Sequence, residues 1–153
     1  MELYLVRHGA ARSAQEDPAR PLSEQGQDEA DRVARTAARC GMRGVRIHHS
    51  GKLRAQQTAE ILARHLSPPE APTPLAGLAP NDDPHIARRV IEEASGALML
   101  VGHLPHLARL TALLLTGQDD SERFVFESAA LAGLRRAEAG WRLRFLISPE
   151  VTG

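Results

Sequence analysis

Short apolar runs and amphipathic stretches alternate along this chain, and their order predicts an α/β domain. The run Leu3-Tyr4-Leu5-Val6 has the composition of a strand covered on both faces. Two further runs, Gly44 to His48 and Ala97 to Val101, also predict strands, and each is followed by a helical pattern. Strands that alternate with helices favour a mostly parallel sheet with helices packed on its faces.

Four stretches carry apolar residues at helical spacing. They run from Ser23 to Cys40, from Lys52 to Leu66, from Asp83-Pro84 through Ala94, and from Pro105 through Leu114. Ser23 suits the N-cap of the first helix and Gly41 its end, while Pro84 suits the first position of the third. The buried stripe predicted for the third helix is Ile86, Val90, Ile91 and Ala94.

The remainder of the chain predicts a surface connection and a hairpin. Ser67 to Pro80 is rich in proline and alanine and is expected to connect elements at the surface. Phe124 to Leu134 and Trp141 to Ile147 predict two strands joined by a turn at Glu138 to Gly140. No repeat or composition break divides residues 1–153, so we expect one domain.

Composition excludes several classes of function. The 153 residues carry 19 basic and 19 acidic side chains, so no overall charge favours nucleic acid or an anionic membrane. Cys40 is the only cysteine, which excludes an internal disulfide and fits a reducing compartment. Arg7 and His8 interrupt the first apolar run too early for a signal peptide, and no run approaches the ~20 apolar residues of a membrane span. These features predict a cytoplasmic protein.

Polar residues collect where predicted strands give way to helices. These junctions are Arg7-His8-Gly9, His49 to Arg54, and Gly102 to His106. Because the carboxyl ends of parallel strands share one edge of a sheet, the three junctions should meet. Arginine donors and helix N-termini favour an anion, and a histidine beside them could act as a nucleophile or base. An ordinary polar boundary after the first strand is the alternative, and the tripeptide alone does not decide between them.

Four segments together resemble the histidine phosphatase superfamily. They are Arg7-His8-Gly9, the run Arg20 to Gly26 that contains Leu22-Ser23, the run Ser50 to Thr58, and Gly102-His103. The chain length, Arg20-Pro21-Leu22 and His103-Leu104-Pro105 are similar to the small bacterial phosphohistidine phosphatases of the SixA type. The resemblance implies a phosphoglycerate mutase-like, three-layer α/β/α sandwich, mostly parallel with an antiparallel C-terminal edge. Gly51 departs from the pattern, because the family usually has proline there.

The resemblance also implies roles for individual residues. His8 would attack phosphorus and become a phosphohistidine, Arg7 and Arg54 would hold the phosphate oxygens, and a protonated His103 would add a donor. No metal ion or cofactor is expected, since the cationic side chains supply the positive charge. Gly9, Arg20 and Leu104 are further candidates for contacts to the substrate. His106, three residues after His103, could instead form a metal pair with it, although the two need not share a helix face.

The substrate class is predicted from what the chain lacks. Gly77 stands where many members of the superfamily carry a glutamic acid that protonates the leaving group, and Asp82 or Asp83 would have to fold back to replace it. Imidazole leaves without such help, so we expect phosphohistidine on a protein, such as a histidine phosphotransfer domain, bound in an open site. The alternatives are a phosphatase for small phosphomonoesters and a binding module that recognises phosphate without chemistry. We expect a monomer or a weak dimer.

Overall fold

The structure is a computed structural model that describes residues 1–120 and 123–152. Its strands are β1 (Glu2–Arg7), β2 (Arg46–His49), β3 (Thr73–Pro74), β4 (Leu98–Gly102), β5 (Leu131–Ala137) and β6 (Gly140–Ile147). Its helices are α1 (Glu24–Arg39), α2 (Leu53–Leu66), α3 (Pro84–Glu93) and α4 (His106–Thr116), and a 3₁₀ turn covers Pro149–Val151. The four helices follow the four predicted stretches closely.

The six strands form one sheet in the order β3-β2-β4-β1-β5-β6. Strands β3, β2, β4 and β1 are parallel, whereas β5 pairs antiparallel with β1 and β6 pairs antiparallel with β5. The predicted mostly parallel sheet with an antiparallel C-terminal edge is therefore confirmed. Its parallel part places the carboxyl ends of β1, β2 and β4 at a common edge.

Side chains alternate across the sheet and build two separate apolar layers. Tyr4 and Val6 of β1 face α1 and α2, whereas Leu3 and Leu5 face α3 and α4. Both central strands, β1 and β4, are buried on both faces, which explains their continuous apolar runs. This arrangement is the expected three-layer sandwich.

No helix among the described residues has the length and apolar character that a membrane span requires.

Two predictions about the connections were wrong. The segment 123–130 is not the start of a strand, and β5 begins only at Leu131. Instead, this segment crosses the end of β1, where Arg7 donates its backbone N–H to Ala130 and His8 accepts one from Ala129. Inside the predicted surface connection, Thr73 and Pro74 form the edge strand β3, which is too short to give an alternating pattern.

Gly9 and Gly26 allow the first turn of α1 to pack closely against the loop that follows His8. A Cβ atom on Gly26 would collide with the backbone carbonyl of Ala10, and one on Gly9 would lie 2.9 Å from the Gly26 oxygen. The start of α1 is fixed by Ser23, whose hydroxyl accepts the Gly26 N–H at 3.0 Å, as predicted for an N-cap. The close approach brings the loop before α1, including Arg20, to the end of β1.

Candidate active site

Four side chains that are far apart in sequence lie together at the carboxyl edge of the sheet. Arg7 ends β1 and His8 follows it, Arg54 lies in the first turn of α2, and His103 follows β4. The His8 and His103 rings are 4.9 Å apart between centroids, and the charges of Arg54 and Arg7 both act on His8. The fold thus brings together the polar junctions that the sequence singled out.

The His8 ring is held in a form that leaves one nitrogen free. Its Nδ1 atom lies 2.6 Å from the carbonyl oxygen of Gly9. Because a carbonyl only accepts, Nδ1 carries the proton and Nε2 keeps its lone pair. Burial lowers the pKa of His8 to about 4, helped by the positive charges of Arg54, Arg7 and Arg20 and opposed by the bond to Gly9. His8 is therefore neutral and has the electronic form of a nucleophile at neutral pH.

We expect this nucleophile to remain available in mild acid. With a pKa of about 4, the ring is still about nine-tenths neutral at pH 5, whereas a histidine with the ordinary value near 6.5 is then almost fully protonated. Titration of the His8 ring by NMR measures the midpoint directly, with the urea-unfolded chain as the control. A midpoint between pH 6 and 7 in the folded protein would contradict this assignment.

The two arginines have donors that the protein itself leaves unpaired. Arg7 donates from Nη1 to the Phe126 carbonyl at 2.7 Å, which fixes its orientation. The Nε atoms of Arg7 and Arg54 are buried, and neither has a hydrogen-bond partner among residues 1–120 and 123–152. Burial lowers the pKa of both guanidinium groups, and an anion between them would satisfy the unpaired donors.

Three groups that organise this site were not predicted from the sequence. Thr58 accepts the Gly9 N–H at 3.0 Å and donates to the Arg54 carbonyl at 2.8 Å, so one buried hydroxyl joins the loop after His8 to the start of α2. Gln57 accepts the Leu22 N–H at 2.8 Å. The third group is the Phe126 carbonyl. Gln57 and Thr58 belong to a segment that carried the resemblance, whereas a backbone carbonyl has no sequence signal.

His103 differs from the expected protonated side chain. It is 1% exposed, and its Nε2 atom lies 2.6 Å from the hydroxyl of Ser50. Burial, followed by the effects of His8 and Arg54, lowers its pKa to about 3. Burial and nearby positive charge both disfavour the imidazolium ion. The His103 ring is therefore neutral.

Gly77, which the resemblance places where related enzymes carry an acid, has a left-handed backbone and lies against Ile86. Gly77 has a φ of 96°, and a Cβ atom there would lie 2.6 Å from the Ile86 side chain. Ile86 is 39% exposed over this loop, so the prediction that it belongs to the buried stripe of α3 was wrong. Asp82 accepts the Ala79 N–H at 3.0 Å and Asp83 accepts the His85 N–H at 2.9 Å as the cap of α3. Both aspartates thus have local structural partners.

The other residues singled out in the sequence differ in how close they lie to the site. The charge of Arg20 acts on His8 and Arg54, and its Nε donates to the Arg12 carbonyl at 3.2 Å, so Arg20 lies at the rim. Leu104 is half-buried and packs against the apolar layer of α3 and α4. Gly51 has a φ of 91°, which proline cannot adopt, and it donates its N–H to His49.

The side chains of this site fit an anion better than a cation. Over the described ranges 1–120 and 123–152, no three histidine, cysteine or acidic side chains come close enough to hold a metal ion. The suggested metal pair of His103 and His106 gains no support, because the described residues provide no third histidine, cysteine or acidic ligand near them. The unpaired guanidinium donors instead indicate a phosphate or a similar oxyanion.

Comparison with known proteins gives consistent matches. The model of the histidine phosphatase superfamily (branch 1) matches residues 3–78. The phosphohistidine phosphatase SixA of Escherichia coli K12 is 29% identical over 145 residues, covering 92% of this chain and 88% of that protein. An uncharacterized protein of Picosynechococcus sp. is 35% identical over 146 residues, covering 91% and 87%. A structure of the protein histidine phosphatase SixA complexed with tungstate is 27% identical with a TM-score of 0.86, covering 97% of both chains.

Proposed function

As a member of the histidine phosphatase superfamily this chain is a phosphatase, and we propose that its substrate is a phosphohistidine displayed by a protein. Three observations on the described residues carry the proposal together: the His8 Nε2 lone pair, the buried Nε donors of Arg7 and Arg54 without partners, and a left-handed glycine at position 77 in place of an acid. The SixA relatives are phosphatases of phosphohistidine by name, which supports the same substrate class.

In the first step, His8 takes the phosphoryl group from the substrate. The Nε2 lone pair forms a bond to phosphorus while the bond to the substrate nitrogen breaks, and the substrate imidazole leaves with that electron pair. Arg7 and Arg54 bind the phosphoryl oxygens while negative charge redistributes over those oxygens in the transition state. His103 donates a further hydrogen bond to them. The Gly9 carbonyl stabilises the positive ring of phosphorylated His8 through Nδ1–H.

In the second step, water replaces His8 on phosphorus. The oxygen of water forms the new bond, the His8–phosphorus bond breaks, and the electron pair returns to Nε2. The ring is again neutral with its proton on Nδ1, so His8 itself exchanges no proton over the cycle. The product leaves as dihydrogen phosphate or, after losing a proton to solvent, as the dianion. We propose that no metal ion takes part, since Arg7 and Arg54 supply the charge.

The leaving group decides the substrate class. An alkoxide needs a proton as its bond breaks, and general acids contribute about 10²- to 10⁴-fold to such steps. Asp82 and Asp83, the two acids that follow Gly77 in sequence, instead accept backbone N–H groups of Ala79 and His85. An imidazole protonated on its other ring nitrogen leaves as a neutral molecule and needs no acid. This difference favours phosphohistidine over phosphomonoesters of alcohols.

We expect kcat/KM for phosphoramidate and for a phosphorylated histidine phosphotransfer domain to exceed that for phosphoserine by at least about 10²-fold. The measurement is phosphate release under matched conditions, with and without EDTA. An aryl phosphate, whose leaving group needs less help than an alcohol, should fall between the two. Equal turnover of phosphoserine and phosphoramidate would contradict the proposed substrate and favour a general phosphomonoesterase, and loss of activity in EDTA would contradict metal independence.

A further inference from the structure

The two ring nitrogens of His103 have very different surroundings. Nε2 lies 2.6 Å from the Ser50 hydroxyl oxygen, within strong hydrogen-bond distance. Nδ1 is buried and has no hydrogen-bond partner within the described part of the chain. The neutral ring carries one proton, and which nitrogen holds it decides whether His103 can donate a hydrogen bond toward the site from Nε2.

A tight turn fixes the position of the Ser50 hydroxyl. His49 is 4% exposed, and its Nδ1 accepts the Gly51 N–H at 3.0 Å. Gly51 has a φ of 91°, a conformation that favours glycine, and proline would lack both this φ and the N–H. The Lys52 N–H donates to the Ser50 oxygen at 3.3 Å. The turn from His49 to Lys52 therefore holds Ser50 against His103.

The unpaired Nδ1 indicates the direction of the bond between Ser50 and His103. If Ser50 donated to Nε2, the ring proton would sit on Nδ1 as a buried donor without an acceptor. If Nε2 donates to Ser50, the buried Nδ1 is only an unused acceptor. Unpaired buried N–H groups are rarer in proteins than unpaired acceptors, because an unmade donor costs free energy. The proton therefore belongs on Nε2.

We propose that Ser50, held by the turn at Gly51, is a positioning residue that keeps His103 as the neutral tautomer with its proton on Nε2. The inference rests on the proposed function for its purpose: in the ligand-free site the Nε2 proton is directed at the Ser50 oxygen, and when substrate binds the same proton can turn to a phosphoryl oxygen without His103 first being ionised. The groups that act on the ring are His8 after β1, Arg54 and Lys52 at the start of α2, and His106 in α4. All four disfavour imidazolium, so a neutral donor suits these surroundings.

The tautomer can be measured on the ligand-free protein by NMR after labelling histidine with ¹⁵N. We expect His103, assigned by its disappearance in His103→Gln, to show a protonated Nε2 and a bare Nδ1 from pH 5 to 8. Ser50→Ala should give a mixture of the two tautomers, and Ser50→Thr should restore the original one. Gly51→Pro, which keeps the hydroxyl but removes the turn, should also give the mixture.

Activity provides a second readout. We expect Ser50→Ala to lower kcat for phosphoramidate about 10-fold with little change in KM, Ser50→Thr to recover most of the loss, and Ser95→Ala in the exposed turn before β4 to match wild type. A wild-type ring protonated on Nδ1 or on both nitrogens, or an unchanged tautomer in Ser50→Ala, would overturn the proposal. If the tautomers behave as expected but phosphohistidine is not hydrolysed, only the proposed function fails.

Discussion

His8→Ala is expected to abolish turnover and to remove the acid-labile phosphate label from the protein. The substitution deletes the Nε2 lone pair that the Gly9 carbonyl and burial keep available. A general base could only move a proton and could not form the covalent bond to phosphorus that the mechanism requires. The label is measured by rapid acid-free quench after mixing with ³²P-phosphoramidate, and turnover by phosphate release. Both should fall to background.

A suitable control is His65→Ala. His65 lies in the last turn of α2, ~16 Å along the helix from Arg54 at 1.5 Å per residue, and it pairs with Asp31 at 2.7 Å. This variant should keep full activity and full label. If His8→Ala kept its label, another residue would be the phosphoryl acceptor. If wild type bound phosphate but never became labelled, the binding-module alternative would hold instead.

The fold was predictable where a local pattern determines the structure. The amphipathic period of α1, the Ser23 cap and the Pro84 start each depend on residues close in sequence, and the structure has them as predicted. The segment 123–130 was not predictable in this way. Its apolar residues suggested a strand, but Ala130 accepts the Arg7 N–H and Ala129 donates to the His8 carbonyl, and these bonds fold it across the sheet edge. Those bonds join residues more than 120 positions apart.

The residue types of the site and their shared position at the carboxyl edge of the sheet were predictable from the sequence. The protonation of His103 and the orientation of Arg7 were not. Whether His103 is charged depends on how deeply α4 and β4 bury it and on which charges face it, and neither can be read from spacing. The orientation of Arg7 depends on the Phe126 carbonyl, which any residue type at that position could offer. The glycine at position 77 was visible in sequence, but its left-handed backbone and its close approach to the Ile86 side chain were not.

Arg54→Ala is expected to lower kcat about 10³-fold, which corresponds to ~4 kcal/mol of transition-state stabilisation. Its buried Nε has no hydrogen-bond partner among the described residues, so this donor is available to a phosphoryl oxygen. Arg54→Lys should recover only part of the loss, because an ammonium group keeps the charge but not the planar set of donors. Single-turnover labelling of His8 separates this effect from product release.

Arg7→Ala should cause a similar loss of kcat together with a loss of stability that Arg54→Ala does not share. The Arg7 guanidinium also satisfies the Phe126 carbonyl at 2.7 Å, and leaving that acceptor unpaired costs about 1–3 kcal/mol. Thermal unfolding should therefore show a lower midpoint for Arg7→Ala than for Arg54→Ala. Arg43→Ala, exposed before β2 at the opposite edge of the sheet, is the matched control and should change neither quantity. Near-wild-type kcat in either catalytic-site variant would show that its guanidinium does not hold the transferring phosphoryl group.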